Sequence, residues 1–413
     1  MTHPDAGTLP LQRLEPSEVR RLAERDQGLK NWSLWGSYLS DRQWGTVRED
    51  YSADGNAWVS FPHDHARSRT YRWGEDGLLG ICDEQCRLCF SVSLWNGKDS
   101  ILKERPFGLG NPEGNHGEDL KDYYYHLANT PTHSFMRGLY KYPQAPFPYE
   151  HLVEENGRRN REEPEYELVD TGIFDDHAYF DVVLEYAKAS PTDLLIRIRV
   201  VNRGSETAPL VLLPTLWLRN TWAWGYPDQT HQPIQLEGDH LVTPDLSVLP
   251  SYECFSAEEG PWLFTENETN SERLFGIPNT SPYQKDAFHR WVIDGETTAV
   301  NPAQRGTKAA QLLRRDLAPG EEWVVALRLR ERGSGGSSEP FGPDFDQIFT
   351  SREQEWRHYF DHIAPGLGDD DRLIHTAATA GLLWCKKYYG WSVLRWLEGD
   401  PNHPAPPPER WHT

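Results

Sequence analysis

The chain has 413 residues, of which 37% are hydrophobic and 25% charged, a composition that supports a buried core and argues against disorder throughout. Its formal net charge of -21 disfavours nucleic acid as a partner, because binding phosphates requires clustered Lys and Arg. The first residues lack the pattern of a signal peptide, and no apolar run is long enough to span a membrane. Five cysteines do not make a disulfide framework in a chain of this length, so we expect a reduced, cytoplasmic protein with no membrane partner.

The first elements in chain order are a helix and a long series of strands. Residues 16–30 predict a short helix with Ser17 as its N-cap. From Trp32 to about Arg332, short apolar runs alternate with turn residues, which is typical of β-strands. The fold class predicted for this region is mainly β, a large antiparallel β-sandwich. The clearest strands, which we expect to pair consecutively as a meander, are 179–188, 194–201 and 210–218.

Two helices are predicted after the Gly/Ser-rich stretch that begins at Gly333. The first lies in PDFDQIFTSREQEWRHYFDHI, and the second opens at the acidic run starting at Asp369. The second helix is expected to carry one apolar stripe, made of Leu373, Ala377, Ala380, Trp384 and Tyr388. Both helices must bury broad apolar faces, and we expect the sandwich to cover only one of them. The chain is therefore expected to stop inside a helical domain.

The segment CDEQCRLC has the C-x3-C-x2-C spacing of some iron–sulfur sites. The alternation in CRLCFSVSL, however, predicts a strand that begins at Cys86. Successive side chains of a strand point to opposite faces, so Cys86 and Cys89 would be separated. We therefore expect Cys82, Cys86 and Cys89 to form no metal centre, with DEQ as a hairpin turn.

A second possible metal pair lies in FPHDHARSR, where His63 and His65 flank Asp64. Pro62 disturbs a regular strand here, and no further ligands are evident in the sequence. A hydrogen-bonded loop in which Asp64 orients an imidazole or an arginine is the favoured interpretation. No metal or other cofactor is predicted.

The loop GNPEGNHGEDLKDYYYH combines glycine, polar side chains and aromatic rings. It could line a sugar site, and the residues considered for that role are Asn115, His116, Glu118 and Asp119. A solvated loop leading into a strand is the alternative. The 17 Trp, 18 Tyr and 15 Phe of the chain likewise allow two interpretations, sugar stacking or core packing. No pair of catalytic carboxylates can be singled out among 63 acidic residues, and no nucleotide-binding or serine-hydrolase motif is evident.

Four longer stretches resemble bacterial proteins of glycoside hydrolase family 63. They include WGSYLSDRQWGTVREDY, LWNGKDSILKERPFGLGNPEGNHGEDLKDYYYH, LPTLWLRNTWAWG and LLWCKKYYGWSVLRWLEGDP. The resemblance covers nearly all of the chain after about residue 25. It implies an N-terminal β-sandwich superdomain followed by an (α/α)6 barrel that hydrolyses glucosides or mannosides with inversion. The domains expected on this basis are 1–30, a helical lead-in; 31–332, the sandwich; 333–341, a linker; and 342–413, a linker helix and the start of the barrel.

The resemblance also limits what the chain is expected to do. The family's general acid Asp and general base Glu lie later in the barrel, and we expect them downstream of Thr413. No catalytic residue is therefore carried over, and this chain alone is expected to be inactive. The missing C-terminal barrel would be its covalent partner, and an oligosaccharide or small glycoside its substrate.

The resemblance implies that the chain contributes rim residues that stack on the sugar: Tyr388, Tyr389, Trp391 and Trp396. The alternatives are that these rings pack against further helices, or that the chain is a non-catalytic carbohydrate-binding or scaffold module that ends at Thr413.

Overall fold

The computed structural model describes residues 15–39, 41, 62–106, 108–109, 119–120, 122–227, 231–246, 248–334 and 339–412. Seven α-helices lie within these residues. They are α1 (Ser17–Asp26), α2 (Tyr149–Arg158), α3 (Ser271–Phe275), α4 (Ala287–Val292), α5 (Asp344–Ile363), α6 (Asp369–Trp384) and α7 (Val393–Glu398). None of the helices in the described part of the chain has the length and hydrophobicity that crossing a membrane requires.

β-strands are the most frequent regular secondary structure in the described part of the chain. They are β1 (Trp35–Gly36), β2 (Leu78–Asp83), β3 (Leu88–Trp95), β4 (Gly108–Leu109), β5 (Asp119–Leu120), β6 (Tyr123–Asn129), β7 (Phe135–Pro143), β8 (Tyr179–Ser190), β9 (Asp193–Asn202), β10 (Ala208–Leu218), β11 (Ile234–Glu237), β12 (His240–Val242), β13 (Tyr252–Ser256), β14 (Trp262–Thr265), β15 (Arg305–Gly306), β16 (Lys308–Gln311), β17 (Leu313–Leu317) and β18 (Glu322–Glu331). One sheet has seven strands in the order β1-β2-β3-β10-β16-β14, with β17 also paired to β10. A second sheet has nine strands in the order β15-β11-β12-β13-β18-β9-β8-β7-β6, and β4 and β5 pair separately.

The two large sheets share one hydrophobic core, in a sandwich-like arrangement. Side chains from the seven-stranded sheet, such as Val92 and Leu212, belong to the same buried cluster as Val182 and Ile198 from the nine-stranded sheet. All four are fully buried. The strands pair antiparallel, as the short alternating runs of the sequence predict. A mainly β, antiparallel architecture is therefore confirmed.

The expected meander is wrong at its third strand. β8 and β9 pair, but β18 occupies the other edge of β9, so β10 crosses to the opposite sheet and lies between β3 and the strands β16 and β17. The run APLVLLPTLWL of β10 is apolar throughout and does not alternate. A strand that is buried on both faces has this pattern. One face of β10 belongs to the main core, and the other packs in a smaller cluster that contains Val211, Leu213 and Phe288.

The sandwich contacts both C-terminal helices, contrary to expectation. Phe345 and Phe349 of α5 pack with Phe135 and Leu195 on the outer face of the nine-stranded sheet. On α6, Trp384 is buried in the main core together with Ala380. The expected apolar stripe of α6 is therefore only partly buried. Its buried residues are Thr376, Ala380 and Trp384, whereas Leu373 and Ala377 are exposed and Tyr388 lies beyond the end of the helix.

The start of α1 also differs from the prediction. Ser17 is its first helical residue; Pro16 precedes the helix, and no side chain caps it. The helix is held instead by Glu18, which is fully buried. Its carboxylate accepts hydrogen bonds from the backbone and hydroxyl of Thr132, at 2.7 and 2.6 Å, and from the Ser134 hydroxyl at 2.8 Å. A buried tertiary contact thus replaces the local cap.

Candidate functional site

The segment between α6 and α7 lies against the side of the seven-stranded sheet that faces away from the main core. The backbone N–H of Tyr388 donates to the carbonyl of Tyr38 at 2.9 Å, and that of Gly390 donates to the carbonyl of Trp73 at 2.7 Å. The Tyr388 ring packs beside Cys89 and Trp217 of this face. Backbone pairing therefore holds the segment in a defined position on the sheet.

Four rings of this region form what we call the aromatic platform: Trp73, Tyr389, Trp391 and Trp396. The Trp391 ring is 4.7 Å from that of Trp73, 5.6 Å from that of Trp396 and 6.4 Å from that of Tyr389, measured between centroids. Tyr389 and Trp391 are nearly parallel, with an interplanar angle of 6°. Trp73 is buried, whereas Trp391 is 38% and Tyr389 52% exposed. The platform thus has a buried base and two partly exposed rings.

Two arginines fix the base of the platform. The Arg72 guanidinium lies between the Trp73 and Trp224 rings, 4.1 and 3.6 Å from their centroids. Arg219 donates to the carbonyl of Arg72 at 3.0 Å and lies 4.9 Å from the Tyr388 ring centroid. Cation–π contacts of this kind stabilise most when they are shielded from water. The platform is therefore anchored on the sheet as well as on the helical segment.

A polar pocket lies on the same face of the seven-stranded sheet. It is small and partly open to solvent. Its walls contain three acidic and three basic side chains together with smaller polar groups. The lining residues are Glu75, Asp76, Ser91, Ser93, Glu104, Arg105, Thr215, Trp217, Asn267, Lys285 and Lys308.

The charges of the pocket are paired with one another. Arg105 donates to Asp76 at 2.7 Å, and the Lys308 ammonium lies 3.3 Å from Glu104. Burial raises the pKa of Glu75 to about 7, although Lys285 opposes the effect. Burial would also raise the pKa of Glu104, but Lys308 holds it below its usual value. The pocket is thus a buried ion network in which Glu75 can exchange a proton near neutral pH.

The expected separation of Cys86 from Cys89 is wrong, whereas a turn does join β2 to β3 as expected. β3 begins at Leu88, and Cys86 lies in the preceding turn with φ of +52°. Cys82 and Cys89 are direct cross-strand partners, so they point to the same face. The three sulfur atoms lie within 4.8 Å of one another, and the Cys86 and Cys89 Sγ atoms are 3.7 Å apart. Cys86 does not take part in the alternation of CRLCFSVSL, because it lies in the turn before β3. The turn directs its side chain toward Cys82 and Cys89.

The predicted site residues have different outcomes. Asn115, His116 and Glu118 lie outside the described residues, and for Asp119 only the backbone, in β5, is described. Of the three tyrosines that follow, Tyr123 packs against Phe174, and only one ring is exposed by more than a third, that of Tyr125. The structure brings the other predicted set together, because Tyr388, Tyr389, Trp391 and Trp396 all lie in or beside the aromatic platform.

The expected position of the catalytic carboxylates stays a prediction. It was set downstream of Thr413, and Thr413 itself lies outside the described residues, which reach only His412. The last described element before it is one turn of 3-10 helix, Pro408–His412, in which no residue is buried. Neither an acid–base pair nor the rest of a barrel can therefore be assigned from this end of the chain.

The segment His63–His65 is one turn of 3-10 helix rather than an extended strand. Asp64 forms ion pairs with Arg67 at 2.8 Å and with Arg273 at 2.7 Å. The Asp64 carboxylate therefore orients arginines, as the favoured interpretation proposed.

Several residues of the site were not singled out from the sequence. Among them are Arg72, Trp73, Arg219 and Asp400, which hold the platform together. Their contacts join positions up to 328 residues apart, so no local pattern predicts them. The one signal available was the density of Trp and Arg in RTYRWG and LRNTWAWG, which is unusual for a solvated loop.

Comparison with known proteins gives one strong sequence match. No family model matches the chain. The uncharacterized protein YMR196W of Saccharomyces cerevisiae is 40% identical over 437 residues, in a match that covers 95% of this chain and 40% of that protein. The chain thus spans about two fifths of the length of this relative.

The structural matches are distant. A polysaccharide lyase, BACCELL_00875, is 12% identical, with 73% of this chain and 30% of that chain covered and a TM-score of 0.25. A 4-alpha-glucanotransferase from Thermococcus litoralis is 10% identical, with 65% and 30% covered and a TM-score of 0.25. Both are carbohydrate-active enzymes, but at these TM-scores the likeness transfers neither fold nor function to this chain.

Proposed function

We propose that this chain is the N-terminal part of an inverting glycoside hydrolase related to family 63, acting on glucosides or mannosides. The chain provides the sandwich, and α6 and α7 begin the (α/α)6 barrel that carries the catalytic Asp and Glu. Inversion requires these carboxylates on opposite sides of the sugar, with room for a water molecule between the base and the anomeric carbon. The resemblance of four sequence stretches supports this proposal, as does the match to only 40% of a longer relative.

The observation that carries the proposal is the open part of the aromatic platform. Tyr389 and Trp391 present nearly parallel rings to solvent, although large aromatic side chains are usually well buried in a protein of this size. The C–H face of a pyranose packs well on such a ring. Because Trp73 and Arg72 support the rings from below, they are already in position before a sugar arrives.

The helices on either side of the platform segment, α6 and α7, have further exposed apolar side chains. Leu382 of α6 is 75% exposed, and Leu394 of α7 is 57% exposed. Helical barrels bury such side chains between neighbouring helices. In our proposal, the following helices of the barrel cover these residues and place the active site beside the platform.

The test uses the protein encoded by the complete reading frame and, in parallel, residues 1–413. We expect the complete protein to hydrolyse α-glucosides or α-mannosides and release the inverted anomer, as read by NMR early in the reaction. Tyr389→Ala and Trp391→Ala should raise KM or reduce kcat/KM by tenfold or more. Trp411→Ala is the matched control, because Trp411 is 54% exposed and lies outside the platform. Residues 1–413 alone should show no turnover.

The second candidate is a non-catalytic carbohydrate-binding or scaffold module, which the same open rings would serve. It predicts saturable sugar binding by the chain, lost in Trp391→Ala, and no hydrolysis by the complete protein. Retention of anomeric configuration, or full activity in both platform variants, would contradict our proposal.

A further inference from the structure

The three thiols of Cys82, Cys86 and Cys89 form a compact, buried group on the outer face of the seven-stranded sheet. Each is at most 1% exposed, and none is in a disulfide. We propose that these three cysteines bind a single thiophilic closed-shell cation, Zn²⁺ or Cu⁺.

The backbone brings the sulfur atoms together by two separate routes. Cys82 of β2 and Cys89 of β3 are cross-strand neighbours in one antiparallel pair. Cys86 reaches them from the turn, where its left-handed backbone is a conformation that residues other than Gly, Asn and Asp rarely adopt. The Asp83 carboxylate closes this turn by accepting from the backbone N–H groups of Gln85, Arg87 and Leu88. The position of the third thiol is therefore defined by the turn as firmly as the other two are by the sheet.

The distances fit one ion. Zn–S bonds of about 2.3 Å in a tetrahedral site place the sulfur atoms about 3.8 Å apart. The Cys86 and Cys89 sulfurs are already 3.7 Å apart, and all three lie within 4.8 Å. A [4Fe–4S] cluster attaches each cysteine to a different iron and holds the sulfur atoms farther apart than this. The mutual contact of these thiols thus favours a single ion over a cluster.

The surroundings suit a thiolate–metal centre. Three thiolates and a divalent ion carry a net charge of -1, and the buried guanidinium of Arg219 interacts with Cys86 electrostatically. Hydrogen bonds and charges around the ligands stabilise and orient metal sites.

The donor set limits the identity of the ion. No fourth His, Cys, Asp or Glu atom joins the group among the residues that the structure describes. Three thiolates alone satisfy the soft ion Cu⁺, whereas Zn²⁺ would add one water or small ligand. Hard ions such as Mg²⁺ and Ca²⁺ prefer oxygen donors and are not expected here. The Tyr388 ring packs in the same hydrophobic cluster as the three cysteines. The bound ion would therefore also support the segment that carries the platform.

The experiment measures metal content and uptake in residues 1–413 and in the complete protein, each purified without chelators under reducing conditions. Elemental analysis should find one Zn or Cu per chain, or the reduced metal-free protein should bind one equivalent of Zn²⁺, or of Cu⁺ under anaerobic conditions. Co²⁺ should give thiolate charge-transfer absorption. The substitutions Cys82→Ser, Cys86→Ser and Cys89→Ser should each weaken binding at least tenfold, whereas Cys254→Ser and Cys385→Ser should leave the stoichiometry unchanged.

A second measurement keeps the test valid if the serine variants do not fold. In the wild-type protein, at a urea concentration that makes the buried thiols accessible, bound metal should slow the alkylation of Cys82, Cys86 and Cys89, while the exposed Cys385 reacts at the same rate with and without metal. The proposal is overturned if reduced protein takes up neither ion. It is also overturned if one ion binds equally in all three variants, or if iron and inorganic sulfide are recovered.

Discussion

The guanidinium of Arg72 donates two hydrogen bonds, both of 2.8 Å, to the carboxylate of Asp400. The two residues are 328 positions apart, and their side chains are 11% and 10% exposed. Arg72 also supports Trp73 of the aromatic platform, so this ion pair connects the sandwich to the segment that follows α7. A bidentate pair of this geometry positions its partners more rigidly than a single hydrogen bond does.

Asp400→Asn should destabilise the protein, because the substitution removes the carboxylate charge that pairs with the largely buried Arg72 guanidinium. We expect a loss of about 2 kcal/mol in the free energy of unfolding. The matched control is Glu237→Gln, which breaks the Arg332–Glu237 pair, whose side chains are 47% and 44% exposed. That change should cost at most about 1 kcal/mol. Urea unfolding of both variants makes the comparison, and equal costs would show that the buried pair is not a structural connection.

Trp384 is expected to be the main anchor of α6. Its side chain is 3% exposed, it stacks on the His126 ring at 4.9 Å, and its indole N–H donates to the carbonyl of Ala128 at 3.2 Å. Trp384→Ala should therefore cost about 3–5 kcal/mol by calorimetry or urea unfolding. Trp411→Ala removes the same side chain from an exposed position and should change stability by about 0.5 kcal/mol or less. A small effect at Trp384 would mean that α6 is not held by the sandwich core.

Acid should destabilise the protein through His133. This residue is fully buried, and its Nδ1 atom lies 2.9 Å from the Asn129 side-chain oxygen. Burial, together with the positive charges of Lys188 and Lys386, holds the pKa of His133 well below its usual value. The unfolded chain binds a proton at this position near pH 6.5, whereas the folded protein does not. The contribution of neutral His133 to the free energy of unfolding is therefore fully present above that pH and is lost progressively as the pH falls below it.

The expected contribution of His133 is a progressive loss of stability as the pH falls from 6.5 to 5, of at most about 1.4 kcal/mol per pH unit. It should be absent in His133→Gln, so the difference in stability between wild type and variant should become smaller by this amount on acidification. His362→Gln, at an exposed position, serves as the control and should leave the pH dependence unchanged. Urea unfolding of wild type and both variants at several pH values measures these differences in stability. Parallel pH profiles for wild type and His133→Gln would refute the assignment.

The exposed apolar side chains of α6 should cause residues 1–413 to self-associate. Leu373, Ile374 and Leu382 are 68%, 67% and 75% exposed on one short helix. We expect a concentration-dependent increase in mass by light scattering, abolished by the double substitution Ile374→Glu and Leu382→Glu. Leu29→Glu alters a leucine that is 68% exposed but lies outside α6, and it should have no effect. A monomer at all concentrations would contradict this prediction.

The sequence by itself determined the secondary structure well, because local periodicity reflects local burial. The alternation in 194–201 predicted β9, and its apolar residues Ile196, Ile198 and Val200 are all fully buried. The acidic run at Asp369 correctly marked the start of α6. The rings of Tyr389 and Trp391 were singled out through the resemblance of their segment to a family, and the structure places them side by side; their binding role stays a prediction.

Only the tertiary structure decided which elements meet. β10 joins the opposite sheet because β18, more than a hundred residues later, occupies the free edge of β9. Cys86 meets Cys82 and Cys89 because the turn closed by Asp83 reverses its direction, which strand periodicity does not record. The pairing of distant segments depends on which strand edges and which helix or sheet faces are available in the whole fold. The pattern of a short stretch of sequence indicates only which of its residues are buried. The sequence therefore predicts the main strands and the C-terminal helices. It does not predict α2, α3 or α4, which lie within the stretch predicted as strands. The packing between the elements creates the platform, the pocket and the thiol group.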